Sequence, residues 1–330
     1  MPARKETSLQ RYLPKFGSTR VLVLGDLMLD HYIWGIVSRI SPEAPVPIVN
    51  VSKETLLPGG AANVAHNICT LEGKVSLCGV IGRDEAGAIL LNLLKESLHD
   101  AAGVVIEEGR PTTTKTRVIA HNQQVVRFDR EKRDEISKPV RQTILATIKE
   151  QIDRTDCLVV SDYAKGVVTP SLMKEIMILA KPAGIPVVVD PKVGHFSYYR
   201  GATIITPNHL EAARAAKIEI EDEETLRQAG FTLMDQMQGE AVLITRGEHG
   251  MNLFERDGKI THIPTVAKEV YDVTGAGDTV VSVLALALAA GANFVEASKL
   301  ANFAAGVVVG IVGTSTVRQE ELLKAIEEAE

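Results

Sequence analysis

The stretch Asp272-Val-Thr-Gly275-Ala276-Gly277-Asp278-Thr279 carries the chain's most specific chemistry, and it runs straight into the apolar segment 280–290. Small residues at 275–277 let the backbone come close to a ligand. The helix that must follow begins near Asp278, so unpaired N–H groups at its positive end form an anion site. Asp278 adds a carboxylate in the first turn. An aspartate there is often only a cap, but a cap needs no Gly-Ala-Gly before it. An anion pocket beside a carboxylate suits phosphoryl transfer. The N–H groups take the charge of the moving phosphoryl group, and Asp278 accepts the proton of the attacking hydroxyl.

Two other nucleotide motifs fit poorly. Gly275-x-Gly277 matches the first two glycines of the dinucleotide fingerprint, but Val280 stands at the third position, and the segment lies near the end of the chain. No Gly-x-x-x-x-Gly-Lys-Ser/Thr occurs, since Gly82 and Gly87 are followed by Ala88-Ile89, so a P-loop is excluded.

The elements that position the motif are legible around it. Short apolar runs at 20–25, 75–82, 157–161, 186–190, 203–206 and 241–245 read as buried strands. Helical patterns lie between them. Asp84 opens one, and Thr169-Pro170 opens another, a capping residue followed by proline at the first helical position. This alternation predicts an α/β fold: a doubly wound, mostly parallel sheet flanked by helices. Two stretches break the pattern. Residues 32–51 are proline-rich and strand-like, and 112–130 alternate like an exposed hairpin. Both are too polar for core strands and are expected to pair into a small β-sheet lid, discontinuous in sequence, over a single domain spanning 1–330.

Composition narrows the class. Hydrophobic residues make up 45% and charged residues 24%, a globular mixture. The formal net charge of −6 argues against a general nucleic-acid or membrane-surface binder, so anionic ligands need local cations or N–H groups. Cys69, Cys78 and Cys157 sit in apolar segments without metal spacing and read as reduced thiols of a cytoplasmic protein. Segment 280–290 is the longest apolar run, too short to span a bilayer.

With these residues in hand, the chain resembles the ribokinase-like sugar kinases over about residues 20–316. The resemblance implies that Asp278 is the catalytic base, with the backbone of Gly275, Ala276 and Gly277 as the anion hole. Three further stretches follow in the family's order. Gly59-Gly60-Ala-Ala-Asn63 resembles the di-glycine motif, with Asn63 reaching the sugar and the glycines hinging the lid. Asn208-His209-Leu210-Glu211 resembles the motif that organises Mg²⁺ and the phosphates through water, with no direct protein ligand to the metal. On its own, Asn208 also reads as a helix cap. Thr245-Arg246-Gly247 is similar to the strand-end loop beside the nucleotide, and Asn302 is placed there by the same resemblance. Asp30 is implied as the carboxylate for sugar hydroxyls, and it follows a strand's C-terminal end, where ligand crevices of open α/β sheets lie. ATP and Mg²⁺ are the implied cofactors, and some members hold a monovalent cation near the loops corresponding to Asp272 and Gly313.

The lid segment from Ser38-Arg39 to Pro47, together with Gln123-Gln124, Arg127-Phe-Asp129 and Asp190-Pro191-Lys192, resembles bacterial heptose 7-phosphate kinases of lipopolysaccharide core synthesis. The implied acceptor is a sugar phosphate, whose phosphate needs cations remote from ATP. Lys115 and Arg117 are two apart on an expected strand and face one side. Arg39 and Lys192 are expected to join them, with Asp190 nearby. Many such kinases are fused to an adenylyltransferase with a His-x-Gly-His site, and none of the eight histidines here has that spacing. The expectation is a kinase without that domain, pairing as a homodimer through its lid, where an exposed strand edge needs protection.

Overall fold

The computed structural model describes residues 9–98, 100–121, 123–267, 273–310 and 315–329, so Asp272 and Gly313 fall outside the described residues. In chain order its strands are β1 Arg20–Gly25, β2 Leu27–Ile40, β3 Pro47–Gly60, β4 Lys74–Gly82, β5 Asp100–Glu107, β6 Thr113–Ala120 and β7 Gln123–Arg130. There follow β8 Cys157–Ser161, β9 Val187–Asp190, β10 Ile204–Ile205, β11 Ala241–Thr245, β12 Met251–Glu255 and β13 Ile260–Ile263.

The main sheet has the order β13-β12-β11-β10-β9-β8-β1-β4-β5. From β11 to β5 every pairing is parallel, while β12 and β13 close one edge antiparallel. Alternation along β1 explains the two helical layers. Val21 and Val23 enter one apolar cluster, packed with helices Ala61–Thr70, Ala276–Ala289 and Phe294–Val308. Leu22 and Leu24 enter the other, with helices Lys138–Gln151, Pro170–Ala183 and Glu223–Met237. A strand covered on both faces has no polar side, which is why these runs are continuously apolar in sequence. Both expected helix starts form. Asp84 accepts the N–H of Gly87 at 2.8 Å, and Thr169 accepts that of Leu172 at 3.2 Å with Pro170 next in line. Among the described residues, no helix is long and apolar enough to cross a membrane.

The second sheet, ordered β3-β2-β6-β7, is the lid. Its strands reach deeper than 32–51 and 112–130 alone suggest. β2 begins at Leu27 and β3 runs to Gly60, because Leu27, Met28 and Leu29 are buried in the body and only the upper part of each strand is exposed. β5, β12 and β13 also went unread. β12 and β13 are joined by a tight turn at Gly258 (φ +90°); β12 is buried but interrupted by the polar Asn252, and β13 is a half-exposed edge strand.

Register decides what the lid presents to the body. Asp30 stands opposite Lys115, which stands opposite Asp129, while Tyr32 aligns with Arg117 and Arg117 with Arg127. Residues two apart on a strand share a face, so these six side chains lie on one side of the lid.

Candidate active site

Helix Ala276–Ala289 starts two residues earlier than the sequence suggests. Gly275 precedes it with φ +83°, a left-handed conformation costly to any residue with a Cβ. Asp278 is therefore the third residue of the helix, and its side chain makes no capping bond. The carboxylate turns inward, buried. Its Oδ2 accepts from Asn63 Nδ2 at 2.7 Å and its Oδ1 from the Tyr163 hydroxyl at 2.8 Å. Burial pushes its pKa up to about 6, with the charge of Asp30 adding to the rise; the bonds from Asn63 and Tyr163, and Lys115, oppose it. A Cβ built on Gly277 meets nothing within 4 Å, so the helix start faces open space on that side.

Asn63 comes from helix Ala61–Thr70, which Gly60 precedes with φ +57°. A polar seam fixes this helix against the one bearing Asp278. Thr279 donates to Asn67 Oδ1 at 3.0 Å, Asn67 donates to the Asn63 carbonyl at 2.9 Å, and Ser282 donates to the Val64 carbonyl at 3.0 Å. The preceding Gly59 allows a close approach: a Cβ there would collide with the Asp30 carboxylate.

Above this floor, Arg117 Nη1 meets Asp30 Oδ1 at 2.5 Å, and its guanidinium lies 5.2 Å from the centre of the Tyr32 ring. The Lys115 ammonium lies 4.7 Å from the Tyr163 ring centre, and burial lowers its pKa. Arg127 binds Asp129 through two nitrogens, at 2.8 and 2.6 Å. Lys115 and Arg117 thus share the crevice face as their spacing requires. Arg39 does not join them within one chain. It is exposed near the far end of β2, opposite Ile48, and the nine residues back to Asp30 span about 30 Å of strand.

Lys192 follows Asp190-Pro191 just after β9, and its backbone N–H donates to the Tyr199 hydroxyl at 2.9 Å. The Lys192 charge opposes the rise in proton affinity of Asp190 and Glu211. Asp190 ends β9, and its pKa is raised well above the ordinary range, first by burial and then by the charges of Asp278, Glu211 and Asp162. Asn208 and Glu211 form a reciprocal capping box, with Glu211 N–H donating to Asn208 Oδ1 at 3.0 Å and Asn208 N–H donating to Glu211 Oε2 at 3.1 Å. The cap reading of Asn208 is therefore realised, and it leaves His209 and Leu210 exposed on the first turn. A parallel bridge pairs Asn208 with Thr245, bringing the two nucleotide-like stretches side by side. Arg246 reaches Glu223 at 2.8 Å and Asn252 at 3.1 Å, next to the exposed Gly247. Asn302, on helix Phe294–Val308, donates to the Pro264 carbonyl at 2.8 Å.

Sequence reasoning passed over the loop after β8. Asp26 accepts backbone N–H groups from Tyr163 at 2.9 Å, Lys165 at 3.0 Å and Val167 at 3.1 Å. Burial, then the nearby Asp162, raises the pKa of Asp26 to about 6. Asp162 in turn accepts from the Tyr199 hydroxyl at 2.6 Å and lies 2.7 Å from His195 Nδ1. The available signal was position alone: Asp26 follows β1 and Asp162-Tyr163 follows β8, both at carboxyl ends of parallel strands.

A mostly parallel, doubly wound sheet, with a buried carboxylate at a helix start beneath a β-sheet lid, defines a ribokinase-like sugar kinase fold. The chain belongs to the pfkB family of carbohydrate kinases, whose family model matches residues 18–321. It is 50% identical over 310 residues to the bifunctional protein HldE of Geobacter sulfurreducens, which covers 94% of this chain and 63% of that protein. The HldE protein of Geotalea uraniireducens is 51% identical over 307 residues, with 93% and 63% covered. The chain therefore spans less than two thirds of the length of these curated relatives. Among solved structures, Arabidopsis thaliana ribokinase complexed with ribose and ATP superposes with a TM-score of 0.75 at 20% identity, covering 94% of this chain and 99% of that one. Escherichia coli phosphofructokinase-2 in complex with substrates and products gives 0.77 at 20% identity, with 94% and 99% covered.

Proposed function

We propose that this chain phosphorylates the anomeric hydroxyl of D-glycero-D-manno-heptose 7-phosphate with ATP, yielding the 1,7-bisphosphate for ADP-heptose and lipopolysaccharide core synthesis. The observation that carries the reading is a single crevice with a buried, hydrogen-bonded carboxylate at its floor and the cations Lys115 and Arg117 on its lid face. Half-identity to HldE proteins and the lid segments that resemble heptose 7-phosphate kinases support the choice of sugar.

In this reading Asp278 takes the proton of the sugar hydroxyl as its oxygen attacks the γ-phosphorus of ATP. The bond from that phosphorus to the bridging oxygen breaks, ADP departs, and Asp278 later returns its proton to solvent. The N–H groups at the helix start after Gly275 face the charge of the transferring group. Asp30, released from Arg117, and Asn63 take sugar hydroxyls, while Lys115 and Arg117 hold the 7-phosphate. Segments 208–211 and 245–247, with Asn302, flank the nucleotide. The carboxylates of Asp190 and Glu211 are hard oxygen donors that suit Mg²⁺ held through water, and Lys192 beside them adds positive charge near the phosphates. Bound Mg²⁺ supplies charge neutralisation between the phosphates.

The two sheets act as one catalytic domain in a cytoplasmic enzyme. Ile36, Ile40, Val51, Val126 and Phe128 stand exposed on the lid, which supports a homodimer formed through paired lids. Sedimentation of a stable monomer at micromolar concentration would remove that part of the reading. The substrate is tested by ADP release with a panel of pentose, hexose and heptose phosphates. The heptose 7-phosphate should give the highest kcat/KM, and a strong preference for an unphosphorylated sugar would overturn the assignment.

A further inference from the structure

Two donors grip Asp278, one on each oxygen: Asn63 on Oδ2 and the Tyr163 hydroxyl on Oδ1. Each carboxylate oxygen has two lone-pair directions, so the pair of bonds fixes where the remaining ones point. The loop bearing Tyr163 is held by protein groups from two sides. Asp26 collects the N–H groups of Tyr163, Lys165 and Val167. From the other side Arg110 donates to the carbonyls of Lys132, Lys165 and Asp134. A phenol fixed this firmly against a buried carboxylate does more than fill space.

We infer that Tyr163, held in place by Asp26, is a positioning residue that sets the direction and the proton affinity of the Asp278 carboxylate. The inference rests on Asp278 being the base. Tyr163 keeps its proton throughout: its hydroxyl donates to the ionised carboxylate and is a poorer match for the protonated one, so it favours the form that can accept a proton. The charged or titratable groups facing Asp278 from neighbouring elements are Asp30 on β2, Lys115 on β6, Asp190 on β9 and Tyr163 itself. Of these, only Tyr163 makes a hydrogen bond to it, the other bond coming from the neutral Asn63. Asn63 is also placed to meet the sugar, so Tyr163 is the cleaner handle on the base.

The test is Tyr163→Phe, which keeps the ring beneath the Lys115 ammonium and removes only the hydroxyl. The pH dependence of kcat is measured with one sugar phosphate, so that the substrate's own titration is common to both enzymes. Loss of the donor should move the acidic limb up by about one pH unit, the scale of one hydrogen bond to a charged group. Plateau kcat should fall roughly three- to tenfold, within the leverage of a misdirected general base. The KM values for ATP and sugar phosphate should stay within about twofold, because Tyr163 acts through the base. Placing 3-fluorotyrosine at position 163 strengthens the donor and should move the limb down; it also decides the matter if the Phe variant does not fold. Limbs coincident with the native one in every folded variant would overturn the inference. Asp278→Asn separates the two levels. If it retains activity within tenfold, the base reading itself fails. If it collapses while Tyr163→Phe leaves the limb in place, only the role of Tyr163 falls.

Discussion

Asp278→Asn exchanges one carboxylate oxygen for an amide NH₂ in a site whose partners can both adapt. The new carbonyl oxygen can still accept from Asn63, and the new NH₂ can donate to the Tyr163 hydroxyl, which rotates to become the acceptor. No buried polar atom is orphaned, so the fold should survive. The charge is what changes. Raising a carboxylate from an ordinary 3.8 to about 6 means that ionising it costs the folded state about 2–3 kcal/mol. The sign follows from proton binding. Between the two values the folded protein holds the proton more tightly than the unfolded chain, so stability falls as pH rises through this window. The cost is absent below pH 3.8 and complete above pH 6. Asn never ionises, so the variant should be more stable than the native protein at pH 8 by about 1–3 kcal/mol and indistinguishable near pH 4. Turnover should drop by about 10²–10⁴, the range for a positioned general base. Chemical denaturation at both pH values, beside steady-state kinetics, measures the two effects together. A turnover loss under tenfold, or a variant less stable than native at pH 8, would refute the reasoning.

Gly277→Val should abolish turnover while changing stability by no more than about 1–2 kcal/mol, since the new side chain enters open space at the helix start rather than the core; unfolding at room temperature would mean that the glycine serves packing. Lys115→Ala should raise the KM for sugar phosphate by about tenfold or more and leave that for ATP nearly unchanged, as expected for a charge-assisted contact of about 1.5–3 kcal/mol under the lid. Arg117→Ala should do the same. Arg39→Ala and Lys192→Ala separate the alternatives: a sugar-phosphate effect from Arg39 requires the partner's lid, and Lys192 should act on the KM for ATP. If none of the four moves the sugar-phosphate KM, the acceptor carries no phosphate.

How far the sequence could be read depended on whether a residue's neighbours in space were also its neighbours in the chain. The strand runs, the caps at Asp84 and Thr169, and the glycine-rich helix start are local patterns, and each appears in the structure near its expected place. Lys115 and Arg117 share a face because the strand repeat alone dictates it. The grip on Asp278 is different. Asn63 lies 215 residues away and Tyr163 115, and nothing near position 163 marks a tyrosine whose hydroxyl ends on a carboxylate so distant in sequence. Arg39 shows the same limit: its place nine residues along β2 from Asp30 follows from the length of the strand rather than from its neighbours in the chain.

The crevice gathers Asp26, Asp162, Asp190 and Asp278 from the body and Asp30 from the lid strand β2, an arrangement that repels ATP and a sugar phosphate alike. Folding tolerates it in two ways. Asp26 and Asp162 each accept several protein donors, so their charges belong to the scaffold. Asp30 is neutralised by Arg117. That leaves Asp278 and Asp190: the charge of Asp278 raises the proton affinity of Asp190, and Lys115 and Lys192 respectively offset the rise at each only in part. Burial and neighbouring carboxylates thus raise the proton affinity of both, so nearby charge sets how readily Asp278 accepts a proton. In the proposed reading, a divalent ion arriving with the nucleotide would bring positive charge toward Asp190, which would favour ionisation of both. The acidic limb of kcat should accordingly lie below that of kcat/KM for the sugar phosphate at low nucleotide, because only the loaded crevice has its charges balanced. Coincident limbs would mean that Asp278 is tuned by the protein alone.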